Sequence, residues 1–136
     1  MNPNNPSRPR DVALETTRLA HGVPRHAARE LARDLAVAVR EGSGGRAEAA
    51  VVGVVRGRPT VGMTDAEIER FLAPDAGSDT SPDTGPDTGP VKVNTPNLSV
   101  AIHRGLDAAT TVSTTLELAA AAGLRVFASG GLGGVH

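Results

Sequence analysis

The chain has 136 residues, enough for one modest domain, and its 14 basic and 15 acidic residues leave a formal net charge of −1. Phe71 and Phe127 are the only aromatic residues and cysteine is absent, so the core must be aliphatic and disulfides and thiolate metal sites are excluded. No basic stripe interleaved with aromatic residues is present, which argues against a nucleic-acid groove.

The N-terminal residues 1–10 are polar and rich in proline, which predicts a disordered lead without the apolar core of a signal peptide. No later run approaches the ~18 consecutive apolar residues that a membrane span needs. We therefore expect a soluble, cytoplasmic protein with no membrane partner.

The next residues predict a strand followed by a long helix. Residues 11–15 (DVALE) favour a short strand that carries Glu15 at its end, and a turn is expected around residues 21–24. Residues 27–41 place apolar side chains at i, i+4 and i+8, the stripe of an amphipathic helix, and glycines then end it.

A second strand and a short helix are expected next. Residues 49–55 (AAVVGVV) form a continuous apolar run, which is typical of a strand covered on both faces. After a turn, residues 60–62 could pair back with it. Thr64 and Glu67 form a capping box that predicts a helix ending near Leu72.

Residues 73–90 differ sharply in composition, because they repeat the tetrapeptide PDTG. Their aspartates could bind calcium, but the repeated prolines oppose the tight ligand cage that calcium needs, and a solvated acidic linker is the stronger interpretation. We expect a flexible loop that interrupts an α/β domain spanning residues 11–136.

The last third of the chain predicts further alternation of strands and helices. Residues 98–103 favour a strand, residues 107–122 a helix closed by Gly123, and residues 124–128 a buried strand. The whole order predicts an α/β fold with a mainly parallel sheet and flanking helices. Because the Gly-rich residues 130–136 follow a strand with no helix after them, the fold is expected to be truncated.

Four segments could carry chemistry, of which the last, the terminal glycine-rich residues 130–136, is weak as a generic motif. Glu15 is expected at the carboxyl end of a parallel strand, where α/β proteins bind ligands, although a surface glutamate is the simpler reading. Lys92 is the only lysine among 14 basic residues and suits phosphate binding, or it is an ordinary surface lysine. The hydroxyl-rich residues 110–115 could cradle a phosphate or sugar at a helix start, or bond back to their own helix. The histidines show no zinc-binding spacing.

Several segments together resemble one family in both order and spacing, the pseudouridine-5′-phosphate glycosidases, also called indigoidine synthase A-like proteins. The resemblance covers roughly residues 11–136 apart from the PDTG insertion. The matching segments are ALETT with AHGVP (13–17 and 20–24), VGMT with EIE (61–64 and 67–69), KV (92–93), ATTVSTT (109–115) and VFASGGLGGVH (126–136).

The resemblance implies reversible cleavage of the C–C glycosidic bond of pseudouridine 5′-phosphate to uracil and ribose 5-phosphate. Glu15 matches the family's catalytic acid/base, and Lys92 matches a lysine that contacts the substrate. The substrate-binding set implied by the threonine-rich helix and the glycine loop is Thr110, Thr111, Val112, Gly130, Gly131 and His136.

The resemblance also implies a divalent metal such as Mn²⁺, and possible association into a homo-oligomer. The family's nucleophilic lysine and metal-binding aspartate lie downstream of the GGVH segment and have no counterpart in this sequence. Lys92 matches the other lysine. We therefore expect the fragment to be inactive alone, or to act as a non-catalytic sugar-phosphate-binding or interaction fragment.

Overall fold

Six short strands form one sheet with helices on both faces in the computed structural model, which describes residues 10–73 and 89–130. The strands are β1 (Val12–Glu15), β2 (Ala49–Val55), β3 (Arg58–Val61), β4 (Val91–Val93), β5 (Ala108–Thr110) and β6 (Val126–Ala128). The helices are α1 (Thr17–His21), α2 (Arg25–Gly42), α3 (Asp65–Phe71), α4 (Leu98–His103) and α5 (Val112–Ala121). None of these helices could span a membrane. The expected disordered lead and most of the expected PDTG loop lie outside the described residues.

Strand β2 is the centre of the sheet, and the prediction that both its faces are covered is confirmed. Residues 50–54 are all buried. A two-residue turn at Arg56 and Gly57 joins β2 to β3, and both turn residues have positive φ angles (50° and 70°), as a type I′ hairpin requires. Strand β3 therefore pairs back with β2, and it begins two residues earlier than the sequence suggested.

The expectation of a mainly parallel sheet is confirmed. Strand β1 pairs in parallel with β2 and β6, and β4 pairs in parallel with β5. Strands β3 and β5 run antiparallel to β2 and pair with the same two residues, Gly53 and Val54, so they occupy opposite edges of β2. Strands β1 and β3 both pair with Val52, so they also lie on opposite edges of β2. Strand β1 therefore lies on the same edge of β2 as β5.

Strands β1 and β5 therefore run towards each other along one edge of β2, and their carboxyl ends meet at Val52. The Val52 carbonyl oxygen accepts hydrogen bonds from the hydroxyls of Thr16 (2.9 Å) and Thr110 (2.7 Å). The Thr110 amide donates to Thr16 Oγ1 (2.9 Å), and the Thr115 hydroxyl donates to Thr110 Oγ1 (2.9 Å). We call these four residues the threonine joint; its three threonine side chains have no exposed surface.

Helices cover the sheet on both faces. Helices α1, α2 and α3 enclose one aliphatic cluster that includes Leu14, Val51 and Phe71. Helix α5 encloses a second cluster, on the other face, around Ala13 and Val52. The predicted amphipathic helix corresponds to α2, and the predicted capping box opens α3, with the Thr64 hydroxyl accepting from the Glu67 amide.

The prediction of a strand over residues 98–103 is wrong, because this segment forms helix α4. A turn of 3₁₀ helix at Thr95–Asn97 leads into α4, and the Asn94 amide donates to the Asn97 side chain at 2.7 Å. Leu98 and Ala101, three residues apart, are buried on the same side of α4. Packing and the preceding turn outweigh the strand propensity of the β-branched Val100 and Ile102.

Two further expectations about the last third need correction. Residues 108–110 join the sheet as β5, so the helix predicted to begin at residue 107 or 108 begins at Val112. Asp107 instead accepts a hydrogen bond from the Arg56 amide (2.6 Å) and pairs with Arg70 (2.9 Å). The expected buried strand at residues 124–128 is the edge strand β6, in which Val126 is 47% exposed.

The threonine joint can be tested by Thr110→Val, which keeps the shape of the side chain and removes the hydroxyl. The free energy of unfolding is expected to fall by about 1–3 kcal/mol, because the Val52 carbonyl and the Thr115 hydroxyl each lose a buried partner. Denaturant unfolding followed by circular dichroism measures the change. Thr111→Val is the matched control, since the Thr111 hydroxyl contacts only Ser113, at 3.5 Å, within the described residues. Equal losses in the two variants would contradict this role.

Candidate functional site

Glu15 lies where the sequence places it, at the carboxyl end of a central parallel strand. It is the last residue of β1 and is half-buried. Its Oε1 accepts a hydrogen bond from the Ser129 hydroxyl at 2.8 Å, and Ser129 follows the parallel neighbour β6. The carboxylate is therefore held in one position while part of it remains open to solvent, as a proton-transferring group requires.

Close packing behind Glu15 fixes the backbone that carries it. Thr16, the next residue, lies against Gly53 of β2, and Met63 lies against the same glycine. A Cβ atom at Gly53 would come within 2.9 Å of the Met63 sulfur and 3.3 Å of Thr16 Cγ2. Only a glycine leaves room for both side chains here.

Lys92 lies on the other side of the threonine joint, in β4. Its side chain is exposed, and its backbone is in register with Ala109 of β5. Helix α1 connects the two sides, because His21 Nε2 donates to the Pro90 carbonyl oxygen at 2.9 Å just before β4. The fold thus brings β1 and β4 to one region although 76 residues separate Glu15 from Lys92 in the sequence.

The threonine-rich segment divides into a structural part and an open part. Thr110 is fully buried, and its amide, carbonyl and hydroxyl groups all form hydrogen bonds within the protein. The predicted contact of Thr110 with a ligand stays a prediction, and the burial of the side chain argues against it. Thr111 and Val112 are half-buried at the start of α5. Thr111 is the N-cap residue of α5, and its side chain makes no capping hydrogen bond.

The glycine segment is described only at its beginning. Gly130 is exposed directly after Ser129, whereas Gly131 and His136 lie outside the described residues. The Arg18 guanidinium of α1 lies directly against Gly130, so that a Cβ atom at this position would overlap it. The sequence interpretation missed Arg18 and Ser129, because their proximity to the site depends on β1 and β6 being parallel neighbours, which the sequence pattern does not show.

No group of three or more histidine, aspartate or glutamate side chains in residues 10–73 and 89–130 is arranged to hold a metal ion. The described donor set therefore does not fit the Mn²⁺ that the resemblance implies, and manganese remains a prediction about the family. A groove of about 730 Å³ lies elsewhere, lined by α2, α3 and residues such as Arg33, Glu48 and Met63. It includes none of the predicted site residues.

Comparison with known sequences identifies relatives of this chain. The family model described as indigoidine synthase A like protein matches residues 7–136. A pseudouridine-5′-phosphate glycosidase of Saccharopolyspora erythraea is 43% identical over 125 residues, which are 92% of this chain and 36% of the relative. The protein of the same name from Salinispora tropica is 41% identical over 125 residues, 92% of this chain and 34% of the relative. The chain spans about a third of the length of these relatives.

Two solved structures share the fold. The crystal structure of an indigoidine synthase A-like protein from Thermotoga maritima superposes with a TM-score of 0.73 at 34% identity, covering 93% of this chain and 38% of that protein. The prealnumycin C-glycosynthase in complex with ribulose 5-phosphate superposes with a TM-score of 0.65 at 30% identity, covering 93% and 35%. Both matches support the α/β architecture described above.

The packing behind Glu15 predicts opposite effects of the same substitution at two glycines. Gly53→Ala is expected to lower the free energy of unfolding by about 1–3 kcal/mol, because its methyl group would press on Met63 and Thr16. Gly42→Ala, near the end of α2 with open space around it, is expected to raise it by up to about 1 kcal/mol. Thermal and denaturant unfolding of both variants measure the difference; stabilisation by Gly53→Ala would refute the close packing.

Proposed function

Because the chain belongs to the indigoidine synthase A-like protein family, we propose that it forms the N-terminal part of the active site of a pseudouridine-5′-phosphate glycosidase. Such an enzyme cleaves pseudouridine 5′-phosphate reversibly to uracil and ribose 5-phosphate. The names and identities of the relatives support this activity. The observation that carries the proposal is the Glu15 carboxylate, held by Ser129 at the meeting point of the strand ends.

The proposed role of Glu15 follows from the bond that is broken. Cleavage of the bond between the sugar C1′ and the uracil C5 leaves the electron pair on C5, which must then accept a proton. A carboxyl group in a fixed position can deliver that proton and take it back in the reverse reaction. The hydrogen bond from Ser129 sets the orientation of the carboxylate, and the half-buried position leaves one side open to a ligand.

The chain does not supply the nucleophile of this reaction. In the family that it resembles, a lysine beyond the segment shared with this chain forms an imine with the sugar, and an aspartate there binds the metal. Lys92 matches a substrate-contacting lysine, so we assign it to substrate binding. We propose that the 136-residue polypeptide is inactive alone and that its site is completed by segments such as those in the remaining length of the relatives.

A chimera with the Saccharopolyspora erythraea relative tests this proposal. The purified 136-residue chain is expected to release no uracil from pseudouridine 5′-phosphate with Mn²⁺ present. A chimera in which this chain replaces the matching N-terminal third of the relative is expected to release uracil. In that chimera Glu15→Gln is expected to lower kcat by about 10²-fold or more, because the proton donor is removed.

Glu41→Gln is the matched control for the chimera, since Glu41 is an exposed carboxylate near the end of α2. It is expected to leave kcat unchanged. An active chimera that tolerates Glu15→Gln would contradict the role of Glu15. Metal-dependent release of uracil by the 136-residue chain itself would contradict its inactivity.

A second proposed function is binding of a sugar phosphate without catalysis. Two features lie together at β4: Lys92 is exposed, and the first turn of α5 is bonded to the end of the same strand. The Val93 carbonyl oxygen accepts hydrogen bonds from the Thr111 amide (3.0 Å) and the Thr114 hydroxyl (3.2 Å). Since the Thr111 side chain does not cap α5, we assign the amides of the first turn of α5 to an anion beside Lys92.

Titration calorimetry of the 136-residue chain with ribose 5-phosphate at millimolar concentration tests this binding. Lys92→Ala is expected to raise the Kd by about tenfold or more, the cost of losing one charge-assisted hydrogen bond. Unmodified ribose is expected to give no heat, because the phosphate supplies the charge. The absence of any heat with ribose 5-phosphate would rule out the binding function.

A further inference from the structure

Arg18 occupies an unusual position for a surface arginine. Its guanidinium occupies the space that a Cβ atom at Gly130 would fill, next to the serine that donates a hydrogen bond to Glu15. The side chain is exposed, and it forms no ion pair with any described residue, unlike Arg29, Arg40 and Arg70. Glu15, three residues earlier, accepts a hydrogen bond from Ser129 and is not an ion-pair partner of Arg18 in the described part of the chain.

Helix α1 places this cation across the strand ends from Lys92. Arg18 and His21 are three residues apart on α1, which is about one helical turn. His21 bonds to Pro90 at the start of β4, two residues before Lys92, while Arg18 reaches the end of β6. The short helix therefore crosses the region between β4 and β6, with Arg18 at one side and Lys92 near the other.

We propose that Arg18 binds the phosphate group of the sugar-phosphate ligand, and that Gly130 lacks a side chain in order to seat the guanidinium. This inference rests on the proposed function, because it assumes an anionic ligand at these strand ends. A guanidinium presents a rigid fork of N–H donors that matches phosphate oxygens, whereas Lys92 supplies a point charge. Arg18 is thus a specificity-determining residue that favours phosphorylated over unphosphorylated sugars.

A double-mutant cycle in the 136-residue chain tests the link between the two residues. Arg18→Gln is expected to raise the Kd for ribose 5-phosphate by about tenfold or more. Gly130→Ala is expected to raise it similarly, since the new methyl group would push the guanidinium aside. The double variant is expected to be no weaker than Arg18→Gln alone, because both changes remove the same contact.

The salt dependence of the Kd for ribose 5-phosphate shows whether Arg18 acts through its charge or through packing. Arg18→Gln is expected to reduce the steepness with which the Kd rises with salt, and Arg18→Lys to retain that steepness with intermediate affinity. Arg33→Gln is the matched control, because Arg33 is an exposed arginine in the α2 groove. It is expected to change neither the affinity nor the melting temperature.

The outcomes distinguish this inference from the function on which it rests. If the unmodified chain binds ribose 5-phosphate and Lys92→Ala weakens binding while Arg18→Gln does not, the assignment of Arg18 is wrong and the binding function stands. If the unmodified chain binds no ribose 5-phosphate, both are wrong. If Arg18→Gln weakened the binding of uracil and left the Kd for ribose 5-phosphate unchanged, the assignment of Arg18 to the phosphate would also be wrong.

Discussion

The Val52 carbonyl oxygen is the point on which the arrangement of this structure depends. Two strands approach it from opposite directions along one edge of β2, and neither can continue the ladder past the other. The carbonyl would lose its regular partner there, which is costly for a buried group. The hydroxyls of Thr16 and Thr110 replace that partner, so both chain segments turn away at this point. Glu15 and the start of α5 are thereby brought to one region.

Features set by neighbouring residues could be predicted from the sequence. The apolar stripe identified α2, the run of β-branched residues identified β2, and the Thr64–Glu67 pair identified the start of α3. The position of Glu15 at a strand end followed from the same local pattern. These elements agree with their local propensities, and tertiary packing reinforces what the short-range pattern already favours.

Features set by distant partners could not be predicted in this way. Residues 108–110 have the composition of a helix, and they form a strand because Gly53 and Val54 offer an open edge. Five hydroxyls in residues 110–115 suggested a ligand cradle. Two of them belong to the threonine joint instead: the Thr110 hydroxyl donates to the carbonyl oxygen of Val52, more than 50 positions earlier, and the Thr115 hydroxyl donates to Thr110. Likewise, the proximity of Arg18 to Gly130 depends on β1 and β6 being neighbours, which no short pattern encodes.

Contacts among the described residues set the position of Glu15 in the proposed site. Thr16 and Gly53 pack behind Glu15, and Ser129 donates a hydrogen bond to its carboxylate. Residues 51, 52 and 54 of β2 are buried. Exposure of large apolar side chains near the site is instead seen at Val126 of β6 and Leu116 of α5. Neither residue belongs to the threonine joint, whose three threonine side chains have no exposed surface.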